Sequence, residues 1–311
     1  MGNFPFSFRG KKKAKGRRFK SCPGRVYQMK KSVEELKFPL KGKWLAMLAP
    51  SFIVDFPYPK IISQMKDLGF DKVMELTFGA KMINRDYHEL LKNSKGLFIS
   101  TACPGIVETI KSKNPSNIKN LIPIDSPMVA TAKICRKNFP EYKIVFISPC
   151  NFKKIEAQKI KEVDFVITYS ELRQLLDEHK LTNKKYPKKG ILFDRFYNDY
   201  TKIFPLSGGL SKTAHMKQIL KKKEMKVIDG IIEVQKFLES PDKEIKFLDC
   251  TFCKGGCIGG PFISSKLPIF LRKRKVLNYL KTAKKENIPE NRKGLLQKAK
   301  GISFKSNYPN K

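Results

Sequence analysis

Three short apolar runs in this 311-residue chain each end at a cysteine, and that recurrence constrains the fold more than any other feature. Residues 96–100 (Gly-Leu-Phe-Ile-Ser) lead into Thr101, Ala102, Cys103 and Pro104. Residues 143–148 (Lys-Ile-Val-Phe-Ile-Ser) lead into Pro149 and Cys150, and residues 245–249 (Ile-Lys-Phe-Leu-Asp) into Cys250, Thr251, Phe252 and Cys253. Short runs rich in branched and aromatic residues, closed by turn residues, read as buried strands. Further strands are predicted from Trp44 up to a stop at Pro50 and Ser51, over 71–77 and over 163–168. Helical periods occupy 61–68, the stretch up to Leu91, 128–138, 171–179 and a basic segment opening at Arg272, Lys273, Arg274 and Lys275 and running to about Lys285. Strands alternating with helices imply an α/β protein, two lobes of mainly parallel sheet flanked by helices. Ligands of such sheets gather at the carboxyl ends of the strands. The pattern therefore draws Cys103, Cys150, Cys253 and Cys257 toward one cleft between the lobes.

The expected organisation is a basic N-terminal tail (1–40), a folded region (41–285, lobes of about 41–140 and 141–262) and a basic C-terminal tail (286–311). A Lys-, Asn- and Pro-rich surface loop is expected over 180–189. An apolar share of 41% and 11% aromatics exclude a disordered or collagen-like chain. No apolar span reaches the about 18 residues of a transmembrane helix. The basic start lacks the apolar stretch of a secretory signal, which predicts a cytoplasmic protein. Lys and Arg number 64 against 28 Asp and Glu, a formal charge of +36. Such a field attracts acidic proteins, anionic surfaces and nucleic acid. Scattered lysines with few arginines and no recognised nucleic-acid module predict only non-specific, salt-sensitive nucleic-acid binding.

Seven cysteines, an odd number in a chain of this kind, read as ligands or free thiols before disulfides. Cys250, Cys253 and Cys257 fall within eight residues among Gly255, Gly256, Gly259 and Gly260, a backbone able to turn tightly around a bulky group. Zinc would want two paired knuckles and finds only one pair here. Soft thiolates gathered from several loops suit an iron–sulfur cluster better. Cys135 reads as core, Cys22 as a lone leftover, and Cys250 as a spare thiol, a structural cysteine or a substitute proton carrier. His88, His179 and His215 have no ligand spacing and read as surface or capping residues.

The three cysteine segments, taken in order, resemble the catalytic domain of the FeFe-hydrogenases over roughly 43–285. They stand as Ser100-Thr-Ala-Cys-Pro-Gly, as Ser148-Pro-Cys-Asn-Phe-Lys-Lys-Ile-Glu156, and as Asp249-Cys-Thr-Phe-Cys-Lys-Gly-Gly-Cys-Ile-Gly-Gly. The resemblance implies a 4Fe-4S cubane on Cys103, Cys150, Cys253 and Cys257, with Cys257 bridging to a diiron subcluster that carries CO, cyanide and a dithiolate. It implies a direct part in the chemistry for Cys257, Lys153 and Glu156: Lys153 meets a cyanide and Glu156 belongs to a proton route. It also implies cofactor contacts from Pro50 and Ser51, at the second cyanide, and from Phe204 in the pocket wall. Reversible proton reduction would draw electrons from an acidic ferredoxin-like carrier under anaerobic conditions, and maturation proteins would assemble the cofactor.

This sequence departs from the family pattern at several places. Ala102 stands where fast members have a proton-delivering cysteine, Met128 where a glutamine is usual, and Asp249 and Thr251 where Glu and Met are usual. Ala102 resembles the divergent, sensor-like branch, in which a signalling partner would carry the output. Loss of the diiron unit would leave a cubane-only protein resembling the hydrogenase-like iron–sulfur assembly factors. No ferredoxin-like four-cysteine run precedes the motifs, so electrons are expected to enter the cubane directly.

Overall fold

The computed structural model describes residues 33–93, 95–187 and 191–308. Cys22, most of the expected N-terminal tail and the end of the 180–189 loop lie outside the described residues. In chain order the elements are β1 (Trp44–Leu48), α1 (Lys60–Asp67), β2 (Lys72–Glu75), α2 (Thr77–Lys92), β3 (Phe98–Ile99), α3 (Pro104–Lys113), α4 (Pro127–Asn138), β4 (Lys143–Ser148), α5 (Phe152–Gln158), β5 (Phe165–Thr168), α6 (Tyr169–Glu178), α7 (Gly209–Thr213), β6 (Met225–Asp229), α8 (Ile231–Glu239), β7 (Phe247–Thr251) and α9 (Ile269–Ala283). No helix among the described residues is long and apolar enough to cross a membrane.

The strands form two wholly parallel sheets, ordered β2-β1-β4-β5 and β3-β7-β6. All five residues of β1 are buried, as is all of β4 after Lys143. Burial on both faces is why these strands read as continuous apolar runs instead of alternating ones. Helices cover the sheets, and α2 lies tightly on α4 because Gly79 has no side chain. A Cβ there would sit 2.1 Å from the Thr131 hydroxyl.

Sheet membership corrects the expected lobes. A cut near residue 140 would separate β1 from β4, yet they pair from Trp44↔Lys143 to Leu48↔Ile147. β3 leaves the first half of the chain to pair with β7, nearly 150 residues on, at Phe98↔Phe247. The two sheets are therefore interleaved in sequence. Register depends on side chains far apart in the chain, which local periodicity does not report.

The expected C-terminal tail is also corrected. Ile288, Ala299 and Phe304 are buried in the main core, and the Asp125 amide donates to Phe304 O at 2.8 Å. Widely spaced apolar side chains and a backbone bridge between Ile124 and Lys305 hold this segment down. At the other end, Leu40 is buried and its amide bonds Leu68 O at 2.9 Å.

Truncating Phe304 to Ala should therefore cost about 3–5 kcal/mol, as for a buried aromatic side chain. Denaturant unfolding would read this as a lowered midpoint, whereas an unchanged midpoint would mean a loose tail.

Candidate functional site

Five strands from the two sheets end on one cavity. Its lining includes Ala49 and Pro50 after β1, Leu76 after β2, Ala102 and Cys103 after β3, Pro149 and Cys150 after β4, and Phe252, Cys253 and Cys257 after β7. The cavity measures about 90 Å³ and is walled by apolar groups, including Met128 and Phe204; Lys153, Ser148, Thr251 and the thiols supply the polarity. A wider open groove of about 850 Å³ beside α2 contains no cysteine.

Each cysteine is placed by local structure. Cys103 is the N-cap of α3, whose first turn opens on Pro104, a residue suited to a position with no intrahelical N–H bond. Cys150 follows Ser148, whose hydroxyl accepts from the Cys150 amide at 3.1 Å, while the backbone amides of Phe152 and Lys153 point at its sulfur. The Cys257 amide donates to Pro205 O at 2.8 Å. That contact needs Gly256 (φ +79°), where a Cβ would lie 2.5 Å from the same carbonyl.

All four thiols are free, and those of Cys103, Cys253 and Cys257 make no hydrogen bond among the described residues. Cys257 lines the cavity and is exposed. Burial and neighbouring thiols push Cys150 up to about 11 and Cys257 up to about 12, and burial raises Cys253 as well. Burial thus favours the neutral thiol at Cys150, Cys253 and Cys257, which a bound metal would deprotonate. No group of three or more His, Cys, Asp or Glu among the described residues closes tightly enough for a single ion. Four thiols spread around a cavity instead suit a polynuclear cluster, and cluster sites are built from soft thiolate donors.

Lys153 lines the cavity and donates to Ser126 Oγ at 2.9 Å and Glu156 Oε2 at 2.7 Å. Its ammonium also opposes the upward shift of the Cys257 thiol. Glu156 is the salt-bridge partner of Lys153, with a side chain 18% exposed. Pro50 and Phe204 line the wall, but Ser51 does not. The Ser51 hydroxyl lies 2.8 Å from the Tyr169 hydroxyl, which itself donates to Ala49 O at 3.0 Å. A phenol has one proton, so Ser51 is the donor to Tyr169. Asp249 lies outside the wall, accepting from the Ser211 amide and hydroxyl at 2.9 and 2.6 Å.

Cys135 is core, with its thiol 3.7 Å from Met74 Sδ. Cys250 is a buried structural residue of β7: its amide donates to Ser100 Oγ at 3.0 Å, and its thiol belongs to the core of the second sheet. His179 caps α6, His88 bonds Ala214 O, and His215 stacks on Tyr200.

Sequence reasoning missed a fully buried ion pair behind the cavity. Lys202 Nζ meets Glu75 Oε2 at 2.5 Å and the Tyr279 hydroxyl at 2.7 Å, and lies 4.2–5.6 Å from the ring centres of Tyr279, Tyr197 and Phe193. Burial raises the Glu75 carboxyl against the opposing pull of Lys202. The pair fastens the segment carrying Phe204 and Pro205, and so the carbonyl that holds Cys257, to the end of β2. One Lys in a Lys-rich chain, 127 positions from its partner, gives no local signal.

Residues 42–261 match the family described as the iron only hydrogenase large subunit, C-terminal domain, and the chain belongs to that family. It is 26% identical over 257 residues to iron hydrogenase 1 of Clostridium pasteurianum, covering 65% of this chain and 44% of that protein. It is 29% identical over 107 residues to the cytosolic Fe-S cluster assembly factor NAR1 of Kluyveromyces lactis, covering 33% of this chain and 23% of that one. The chain thus spans less than half the length of these curated relatives. The structure of the [FeFe]-hydrogenase HydA(deltaEFG) superposes with a TM-score of 0.55 at 15% identity, covering 81% of this chain and 85% of the other. A variant of the Chlamydomonas reinhardtii [FeFe]-hydrogenase superposes equally, at 14% identity. The protein is a divergent member with the FeFe-hydrogenase fold.

Replacing Lys202 by Met would strand the Glu75 carboxylate in the core and should cost about 3–5 kcal/mol. The double variant Glu75→Leu/Lys202→Met should recover most of that loss in denaturant unfolding; equal losses in both would show that the charges are not coupled.

Proposed function

We propose that Cys103, Cys150, Cys253 and Cys257 hold a 4Fe-4S cubane, that Cys257 links it to a diiron subcluster, and that the protein reversibly reduces protons to hydrogen. The observation that carries this reading is one cavity onto which four unpaired thiols, from the segments after β3, β4 and β7, and one lysine of α5 open. When bound, the cofactor would supply redox and bond-making chemistry; the protein binds, shields and tunes it. Lys153, which lines the cavity and is already paired with Glu156, would add a charge-assisted contact to a cyanide. Glu156 touches Lys153 and reaches toward solvent, which suits it to passing a proton inward. Phe204, Met128 and Pro50 keep water from the cavity, and Ser51 acts through the Tyr169 hydroxyl and the end of β1. Electrons would come from an acidic ferredoxin-like carrier, and maturation proteins would install the diiron unit, in a cytoplasmic, anaerobic setting.

A second reading, slow turnover as a hydrogen or redox sensor, is favoured by Ala102. Its methyl group stands in the wall where a proton-delivering thiol would otherwise be, so protons have no donor on that side. The likeness to NAR1 supports a third reading, a protein that keeps only the cubane.

The test is anaerobic purification after co-expression with the FeFe-hydrogenase maturation enzymes, followed by an iron count and an infrared spectrum. Bands of metal-bound CO and cyanide support the diiron reading, and cubane iron without bands contradicts it. If Ala102 limits proton delivery, Ala102→Cys should raise hydrogen turnover by about 10²- to 10⁴-fold, the usual worth of a placed proton donor. An unchanged rate in a protein that shows the bands would place the limit elsewhere.

A further inference from the structure

Between Asp249 and Glu286 the chain carries nine basic residues and no acidic one. This stretch comprises the Cys253–Cys257 loop and α9, and the structure braces one on the other. The Arg272 guanidinium donates to Ile258 O at 2.9 Å and to the carbonyls of Leu267 and Ser265 at 2.7 and 2.5 Å. A methyl at Gly255 would come within 2.8 Å of the Ile269 side chain. Lys275 donates to Val54 O at 2.8 Å. Arg272 and Lys275 are therefore used internally.

The outer face of α9 is different. Its inner face buries Val276, Tyr279 and Ala283. Phe270, Arg274, Leu277 and Lys281 recur at steps of four, three and four residues and form a stripe on the opposite side, bordered by Lys273. All five are exposed. Phe270 is 68% exposed, the most of any large apolar side chain described, and Leu277 is 38% exposed. Lys273, Arg274 and Lys281 make no hydrogen bond or ion pair among the described residues. A phenyl and a leucyl group held in water among unpaired cations need a partner with an apolar contact inside an acidic rim.

We propose that this stripe is the docking surface for a small acidic protein that carries a one-electron centre. The inference rests on the reading of the cysteines as cluster ligands, since α9 leans directly on the loop between two of them. Aromatic residues and arginine at the centre of a contact, with charged residues around them, are the composition of protein–protein interfaces. Complementary charge speeds and orients such an encounter. Two isolated apolar groups on a helix whose other face is already packed are too few to anchor it in a bilayer. Leu277 has no flat face for stacking a nucleobase.

The test uses an acidic two-cubane ferredoxin as probe and the full chain, anaerobically reconstituted, with affinity read by calorimetry at low and high salt. Lys273→Glu/Arg274→Glu should weaken binding by at least about tenfold at low salt and flatten the salt dependence. Phe270→Ser should weaken it severalfold and leave the salt dependence in place. The same charge change at exposed Lys92 and Lys119, outside the segment, should have little effect. Unaltered binding by the Lys273/Arg274 variant overturns the proposal. So does a protein that ignores the ferredoxin while binding duplex DNA or anionic vesicles through these residues. Binding lost in the variant with infrared bands absent would keep this surface and remove the diiron reading; bands with binding indifferent to the variant would do the reverse.

Discussion

Strands that pair in parallel deliver their carboxyl ends to the same edge of a sheet, and this geometry is what assembles the site. Two parallel sheets turn those edges toward one cavity, and five connecting segments line it. The cysteines need no proximity in sequence, because β3, β4 and β7 each bring a thiol to the same edge. Interleaving of the sheets follows from the same constraint. A strand from the first half of the chain and one from its end must share a register for Cys103 to face Cys253 and Cys257.

The walls around the thiols set the chemistry. Burial raises the thiols of Cys150, Cys253 and Cys257, so metal binding there would expel protons, and site affinity would fall as the pH drops. Behind the wall, the Lys202–Glu75 pair adds little net stability by itself, since desolvation offsets much of the attraction. Its effect is positional. It fixes the segment whose carbonyl at Pro205 holds the Cys257 amide, and aromatic rings on three sides exclude water from it.

The sequence revealed the strands that are buried on both faces and hid what depends on distant partners. β1 and β4 are unbroken apolar runs, whereas β6 is an edge strand with Lys226 and Val227 exposed, so its five residues have no strand signature. The clustering of Cys103, Cys150, Cys253 and Cys257 was legible because a run ending in cysteine recurs three times. The partners of Lys153 were half legible: Glu156 lies one helical turn on, but Ser126 comes from the N-cap of another helix. Ser51 was singled out, yet its bond to Tyr169 crosses 118 residues. The segment after Glu286 looked loose because Ile288, Ala299 and Phe304 are too far apart to form a period.

On the proposed reading, four particular thiols surround one cluster. It is tested most directly by electron paramagnetic resonance of the reduced, anaerobically reconstituted protein and its single Cys→Ser variants. The expected cubane signal is lost or altered when Cys103, Cys150, Cys253 or Cys257 is replaced, and unchanged when Cys135 or Cys250 is. A signal indifferent to Cys103, or dependent on Cys250, would contradict it.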